Sequence, residues 1–254
     1  MFALDGRRVL VTGASKGIGE ACAKLFARMG AAVGVHFHRD EAGAKRVASE
    51  IIRDGGVAET FGADLARWDE SERLVADAEA RASFGALDVI VANHGIWKEA
   101  AIDVMTAAQY DEMMDANLRG YVALAGAASR RMKVRRRGRI VFIASTAGQR
   151  GEAFHAHYAA TKGATISLTK SLAPELAPFG ILVNCVAPGW VRTQMSEATL
   201  ADPIASAKVF ASIPLGRVAT PEEIAAPVVF LASDAASFIT GEVLNVNGGA
   251  VLVG

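Results

Sequence analysis

Cysteine is scarce in this chain, and the patterns that usually accompany it are missing. Of 254 residues only Cys22 and Cys185 are cysteines. There is no C-x-x-C pair and no cysteine–histidine cluster, so no ligand set for a metal stands out. Each cysteine sits in an apolar segment and is read as a small buried hydrophobe. Net charge is lacking too: 27 acidic residues balance 27 basic ones, so no global field draws the chain toward nucleic acid or an anionic membrane. No apolar stretch is long enough to span a bilayer, and the N-terminus enters a strand pattern without the signature of a signal peptide. The expectation is a cytoplasmic protein. No Pro/Gly/Ser-rich linker or shift in composition divides residues 1–254, which predicts one large α/β domain.

Apolar sequence is what the chain has in quantity, at 52% of residues. It falls in short runs near Val9–Val11, Ala32–Phe37, Val57–Phe61, Leu87–Ala92, Arg139–Ile143, Ile181–Val186 and Val243–Val246. Amphipathic helical segments lie between them, and continuous apolar runs suit strands buried on both faces. Seven such strands alternating with helices predict an α/β fold, a doubly wound Rossmann-type parallel sheet with helices on both faces. Its ligand crevice should lie outside the carboxyl ends of the strands, where Gly13, Asn93, Ser145 and Pro188 fall. Thr220 before Pro221, Glu222 and Glu223 predicts a helix start, with a cap, proline at the first position and acids in the first turn. Pro174 and Pro227 interrupt helical patterns and predict kinks or breaks. Residues 195–215 have no evident sheet role and, lying beside a strand end, form a candidate substrate lid.

Two constellations carry chemistry. Val9, Leu10 and Val11 run into Thr12, Gly13, Ala14, Ser15, Lys16, Gly17, Ile18 and Gly19, a strand and a glycine-rich turn opening a helix. Glycine at 13, 17 and 19 lets the backbone turn tightly and approach a pyrophosphate, whose charge then meets the free N–H groups of the helix. Farther on, Tyr158 and Lys162 stand four residues apart, on one helix face, with Ser145 at the end of an apolar run. Hydride delivery to a carbonyl carbon leaves negative charge on oxygen, so such a site needs a proton donor and hydrogen bonds aimed there. Tyr158 can give the proton. An ammonium at Lys162 favours the phenolate and is expected to lower Tyr158 from about 10 toward neutrality.

From Thr12 to Gly249 these features resemble the short-chain dehydrogenase/reductase family. Besides the glycine loop, its pattern is met by Asp64, Asn93, Gly95, Asn117, Ser145, Tyr158, Lys162, Pro188, Gly189, Thr193, Gly248 and Gly249. The resemblance implies catalytic roles for Asn117, Ser145, Tyr158 and Lys162. Ser145 would bond the substrate oxygen, Lys162 would also hold the nicotinamide ribose, and Asn117 would support a water relay to the lysine. It implies a cofactor site built from Gly13, Ser15, Lys16, Gly17, Ile18, Gly19, His38, Arg39, Asp64, Leu65, Asn93, Gly95, Tyr158, Lys162, Pro188, Gly189, Val191 and Thr193. Asp64 would hold the adenine, Asn93 would line the cofactor's edge and Thr193 would meet the carboxamide. It also implies a homotetramer, or a dimer, built through long helices and the C-terminal strand. The second strand ends in Phe37 where the family usually has an acid, and Lys16, Arg39 and His38 stand near. NADP(H) is therefore expected over NAD(H).

The stretch Pro214–Arg217 with Pro221–Ile224 resembles bacterial 3-oxoacyl-acyl-carrier-protein reductases, whereas His157–Ala160 is shared with sugar and polyol dehydrogenases of the family. A non-catalytic nucleotide sensor would have no need of Ser145, Tyr158, Lys162 and Asn117 together. Arg136 matches one basic position where the resembling reductases dock acyl carrier protein, but Phe179 stands at the second, which makes a carrier partner doubtful. The family's Asn-Asn-Ala-Gly reads Ala92, Asn93, His94, Gly95 here. His94 is either a contact of cofactor or substrate or a satisfied structural histidine, and His155 and His157 are expected on a helix surface, with His155 nearer the pocket. Seven of the ten residues from Arg130 to Arg139 are basic. Without interleaved aromatics this reads as a charged helix end rather than a nucleic-acid patch.

Overall fold

The computed structural model describes residues 3–81 and 84–253. Strands and helices alternate: β1 (Arg8–Val11), α1 (Gly17–Arg28), β2 (Ala32–Phe37), α2 (Glu41–Arg53), β3 (Val57–Gly62), α3 (Trp68–Ala80) and β4 (Val89–Ala92). Then follow α4 (Ala107–Met114), a π turn (Asp115–Arg119), α5 (Gly120–Arg135), β5 (Gly138–Ile143), α6 (Ala147–Arg150), α7 (Ala156–Leu176) and β6 (Ile181–Pro188). The chain closes with α8 (Glu197–Ala201), α9 (Pro203–Ala211), α10 (Pro221–Ala232) and β7 (Val243–Val246). All seven strands are parallel, in the order β3-β2-β1-β4-β5-β6-β7. Chain order reverses between β1 and β4, and such a switch point opens a crevice at the strands' carboxyl ends.

The apolar runs of the central strands are continuous because helices pack on both faces of the sheet. Val9, Val11, Val89 and Val91 pack with Phe26 of α1, Val47 of α2 and Val228 of α10. Their neighbours Leu10, Ile90 and Ala92 face the other way, onto Leu74 of α3 and Leu124 of α5. Period-two alternation thus splits one run between two cores. Cys22 and Cys185 lie buried, one in each core.

Helix starts follow local chemistry. Asp40 caps α2 by accepting from Gly43 N, and Thr220 and Glu223 form a reciprocal capping box at α10, with Pro221 at the first position. The two internal prolines do not break their helices. Pro227 lies inside uninterrupted α10, and Pro174 lies in the last turn of α7, two residues before its end. α10 is packed against α1 in the larger core, and that burial holds it through one lost backbone bond. Residues 195–215 form α8 and α9, and Val209 and Ile213 make a small third core with Val218 against Trp190. The basic run spans the end of α5 and the turn into β5, and most of its charges are matched: Glu72 takes Arg130 and Arg131, Glu79 takes Arg131 and Arg135, and Asp88 takes Arg137. Among the described residues no helix is long and apolar enough to cross a membrane.

Candidate active site

The turns after β1 to β6 open into one cavity of about 790 Å³, within the range of small-molecule sites. One end carries the glycine turn. Gly13 and Gly17 have φ of 61° and 58°, the left-handed region that favours glycine. A Cβ on Gly13 would stand 3.0 Å from the His94 Cα, and one on Gly19 only 2.3 Å from the Gly13 carbonyl oxygen. Gly19 therefore lets α1 close onto the turn, while Gly17 sits against Thr193. Neither lines the cavity, unlike their neighbours in the turn. No side chain caps α1, which leaves its first N–H groups for an anion. Gly13, Ser15, Lys16 and Ile18 line this end.

Asn93 ties β4 to β1: its Nδ2 donates to the Thr12 and Gly13 carbonyls at 2.9 and 3.1 Å. Thr12 Oγ1 accepts from Asn93 N at 2.9 Å and lies 2.8 Å from His94 Nδ1. These bonds hold the β1–β4 crevice although Ala92 replaces an amide. His94 lines the cavity, with its ring edge-on to Tyr121 at 4.9 Å, and burial holds it well below the usual imidazole range.

His36, an interior residue of β2, is a site residue that sequence patterning missed. It lines the cavity, its Nδ1 accepts from Gly13 N at 3.1 Å and its Nε2 donates to Ala63 O at 3.1 Å. A neutral imidazole with its proton on Nε2 therefore pins the glycine turn. Burial pushes it down to about 4. The unfolded chain takes up this proton near 6.5 and the folded chain near 4. The group's stabilisation is thus complete above about pH 6.5 and falls as pH drops to 4, by about 3 kcal/mol at the limit. His36→Asn should flatten the decline of Tm between pH 6.5 and 4 by about one proton's slope. Thermal melts across that range test this, and identical slopes would rule it out.

Beyond β2, Phe37 lines the cavity and packs its ring on Gly62. Lys16 and Arg39 are exposed on the cavity rim and make no ion pair among the described residues. His38 Nε2 lies 3.8 Å from Asp64 Oδ1, so its interaction is directed at that carboxylate. Asp64, Leu65, Asn93, Gly95, Pro188, Gly189, Val191 and Thr193 all line the cavity.

Ser145, Tyr158 and Lys162 line the other end. α7 puts Tyr158 and Lys162 on one face, with the ammonium 5.8 Å from the phenol ring centre. Lys162 is 4% exposed. It donates to Ile143 O at 2.8 Å and reaches the Tyr121 hydroxyl at 3.5 Å, and burial pushes it down to about 8. The expectation that this lysine brings the tyrosine toward neutrality is overturned. The Tyr158 ring is only partly covered, yet burial is the main influence and raises it to about 12, with the Ser145 hydroxyl pulling the other way. The Glu152 carboxylate adds a smaller push in the same direction as burial.

Asn117 stands behind the cavity wall, in the π turn, a distortion common at functional sites. It is clamped to Ile96, whose N–H it receives at 2.7 Å and whose carbonyl its Nδ2 bonds at 2.9 Å. A Cβ on Gly95 would meet Asn117 Oδ1 at 2.9 Å and Lys162 Nζ at 3.9 Å. Glycine there keeps a gap between amide and ammonium. His155 and His157 are both buried rather than on a helix surface. His155 precedes α7 and stacks flat on Trp97, with ring centres 4.4 Å apart. Trp97, Trp190, Arg150 and Glu152 also line the cavity, and no sequence pattern pointed to them. Among the described residues no cluster of three or more potential ligands could hold a metal.

Residues 13–251 match the model of a family described as enoyl-(acyl carrier protein) reductase. The chain is 40% identical over 253 residues to a 3-oxoacyl-[acyl-carrier-protein] reductase of Synechocystis sp., covering 99% of this chain and 100% of that protein. It is 41% identical to an L-rhamnose 1-dehydrogenase (NAD(P)(+)) of Azotobacter vinelandii, covering 98% of each. A gluconate 5-dehydrogenase from Burkholderia cenocepacia, solved in complex with NADP and tartrate, is 35% identical with a TM-score of 0.93, covering 98% of this chain and 96% of that one.

Proposed function

Because the chain belongs to the short-chain dehydrogenase/reductase family, we propose that it is an NADP(H)-dependent oxidoreductase interconverting a carbonyl group and a secondary alcohol. One observation carries the reading: a single cavity joins Ser145, Tyr158 and Lys162 at one end to the glycine turn, Lys16 and Arg39 at the other. The residues present fit a phosphorylated dinucleotide, with glycine where the backbone must come close, an uncapped helix start, and cations without an anionic partner. A nicotinamide held there would supply or accept the hydride.

The chain's own residues manage the proton. Tyr158, held neutral well above physiological pH, gives its proton to the substrate oxygen during reduction and takes one back during oxidation. Ser145 donates to that oxygen and holds it in line. Lys162, tethered to the end of β5, would hold the cofactor ribose, and the glycine gap between it and Asn117 leaves room for a proton path. A depletion assay of NADPH absorbance against ketoacyl thioesters, sugars, steroids and simple ketones tests the reading. Turnover with none of them would remove it.

The relatives include a 3-oxoacyl-[acyl-carrier-protein] reductase, and small 3-oxoacyl thioesters are among the substrates to try. The carrier itself is a weaker prospect. The Arg136 guanidinium donates to Pro178 O and lies 6.0 Å from the Phe179 ring centre, so the single matching cation is turned onto the residue that replaces the second. Paired charges steer and hold an acidic partner, and one phenyl ring supplies neither charge nor hydrogen bond. Carrier-linked and small thioesters of the same acyl group should therefore differ less than tenfold in kcat/KM, and Phe179→Arg should widen the gap. A large carrier preference abolished by Arg136→Ala would restore the carrier as a partner. We further propose a cytoplasmic homotetramer, an assembly supported by the exposed apolar side chains of Phe238 and Leu252, which a second copy would cover.

A further inference from the structure

Past Tyr158 the cavity ends in a wall that hydride chemistry does not require. Trp97 and Trp190 meet there nearly at right angles, with ring centres 5.8 Å apart and planes at 84°. His155 backs one face of Trp97, and the rest of the indole lines the cavity. The Trp97 Nε1–H points to Glu152 Oε2 at 3.4 Å. Arg150, at the end of α6, lines the same space and makes no ion pair among the described residues.

The corner is held in place by its neighbours. Phe154, at φ 63°, accepts a hydrogen bond from Ala100 N at 2.8 Å, which joins the turn carrying Glu152 and His155 to the loop carrying Trp97. His155 Nδ1 bonds Ala153 O at 3.1 Å and fixes the ring under the indole. Trp190 leans on the small core of α9. An aromatic corner built this way loses little freedom when a ligand fills it.

We infer that this wall selects a compact polyhydroxylated substrate, a sugar-sized polyol or the matching ketone, in preference to an acyl chain. The inference rests on the oxidoreductase reading above and names its substrate class. Indole faces suit the C–H surfaces of such a molecule, while Glu152 accepts from its hydroxyls and Arg150 donates to them. An alkyl chain laid on the same wall would cover a carboxylate and a guanidinium and return no hydrogen bond to either. Charges desolvated without partners weigh against that occupant.

The test compares a ketohexose with cyclohexanone as oxidants of NADPH, in the unmodified enzyme, Glu152→Gln, Trp97→Ala and Trp97→Phe. Glu152→Gln should lower the ratio of kcat/KM for the hexose to that for cyclohexanone by about tenfold, mostly through KM, the scale of one charge-assisted hydrogen bond. Trp97→Ala should lower it further, and Trp97→Phe should restore part of it. A hexitol should also quench indole fluorescence saturably, and Glu152→Gln should weaken that binding. A ratio unchanged by Glu152→Gln, or a linear small thioester reduced well by an enzyme that neither binds nor turns over the hydroxylated compounds, would overturn the inference and leave the oxidoreductase reading standing. Saturable hexitol binding that Glu152→Gln weakens, without turnover of any substrate, would support the wall and remove that reading instead.

Discussion

Replacing Tyr158 by phenylalanine should lower kcat by roughly 10²- to 10⁴-fold, the range that a positioned general acid supplies, and leave NADPH binding nearly unchanged. The substitution removes one hydroxyl and keeps the ring, and the lysine behind it is anchored elsewhere, on Ile143 O and the Tyr121 hydroxyl. Binding and chemistry therefore separate. Lys162→Ala should damage both, since its ammonium also faces the space assigned to the ribose. The pH dependence follows from the same groups. With the phenol raised to about 12, Tyr158 carries its proton across the neutral range, so reduction starts from the protonated form and falls on the alkaline side only as Lys162, pushed down to about 8, loses its charge. Oxidation needs the deprotonated phenol and should speed up as pH rises. Stopped-flow kinetics in both directions, beside fluorescence titration of NADPH, measure each part. A Tyr158→Phe protein that folds, binds NADPH and still turns over at a tenth of the normal rate would exclude Tyr158 as the proton donor.

The parts of this site that could be read from the chain are those written in local spacing. Gly13 to Gly19 follow one strand within eight residues, and Tyr158 and Lys162 share a helix face because four residues make about one turn. The strand runs were visible because burial on two faces removes the polar half of the alternation. What stayed hidden depends on contacts between distant segments. His36 looked like any residue of an apolar run, and its bond to Gly13 N arises only when β2 pairs with β1. Trp97, Glu152 and Trp190 come from the turns after β4, β5 and β6, which meet only because those strands are neighbours. Pro227 carried a local signal of a break, and the packing of α10 onto α1 overrode it. The Tyr158 error had the same origin: a lysine four residues away is a local feature, whereas desolvation belongs to the whole fold.

Catalytic efficiency with NADPH should exceed that with NADH by about 100-fold, the product expected of one or two charge-assisted hydrogen bonds to an added phosphate. At the end of β2 Phe37 packs on Gly62 and offers no carboxylate to the ribose hydroxyls. A carboxylate there would bond those hydroxyls and repel a phosphate on one of them. Among the described residues Lys16 and Arg39 flank the same rim without acidic partners, whereas most other arginines are engaged: Arg46 with Glu20 and Glu50, Arg73 with Glu70 and Asp77. Cations left unpaired beside a cavity are free to meet an anion at no loss of an existing bond. Arg39→Ala should therefore lower kcat/KM for NADPH by about 10- to 100-fold and change that for NADH little. Phe37→Asp should move the preference in the same direction by adding repulsion and a grip on the ribose. His38 is assigned the smallest share, since its ring is drawn to Asp64. Steady-state kinetics with both cofactors on these variants decide the matter, and equal or better efficiency with NADH in the unmodified enzyme would refute the preference. The two outcomes also differ in salt: rim cations that hold an exposed phosphate are screened, so the advantage of NADPH should shrink between low and high ionic strength while the NADH rate holds steady.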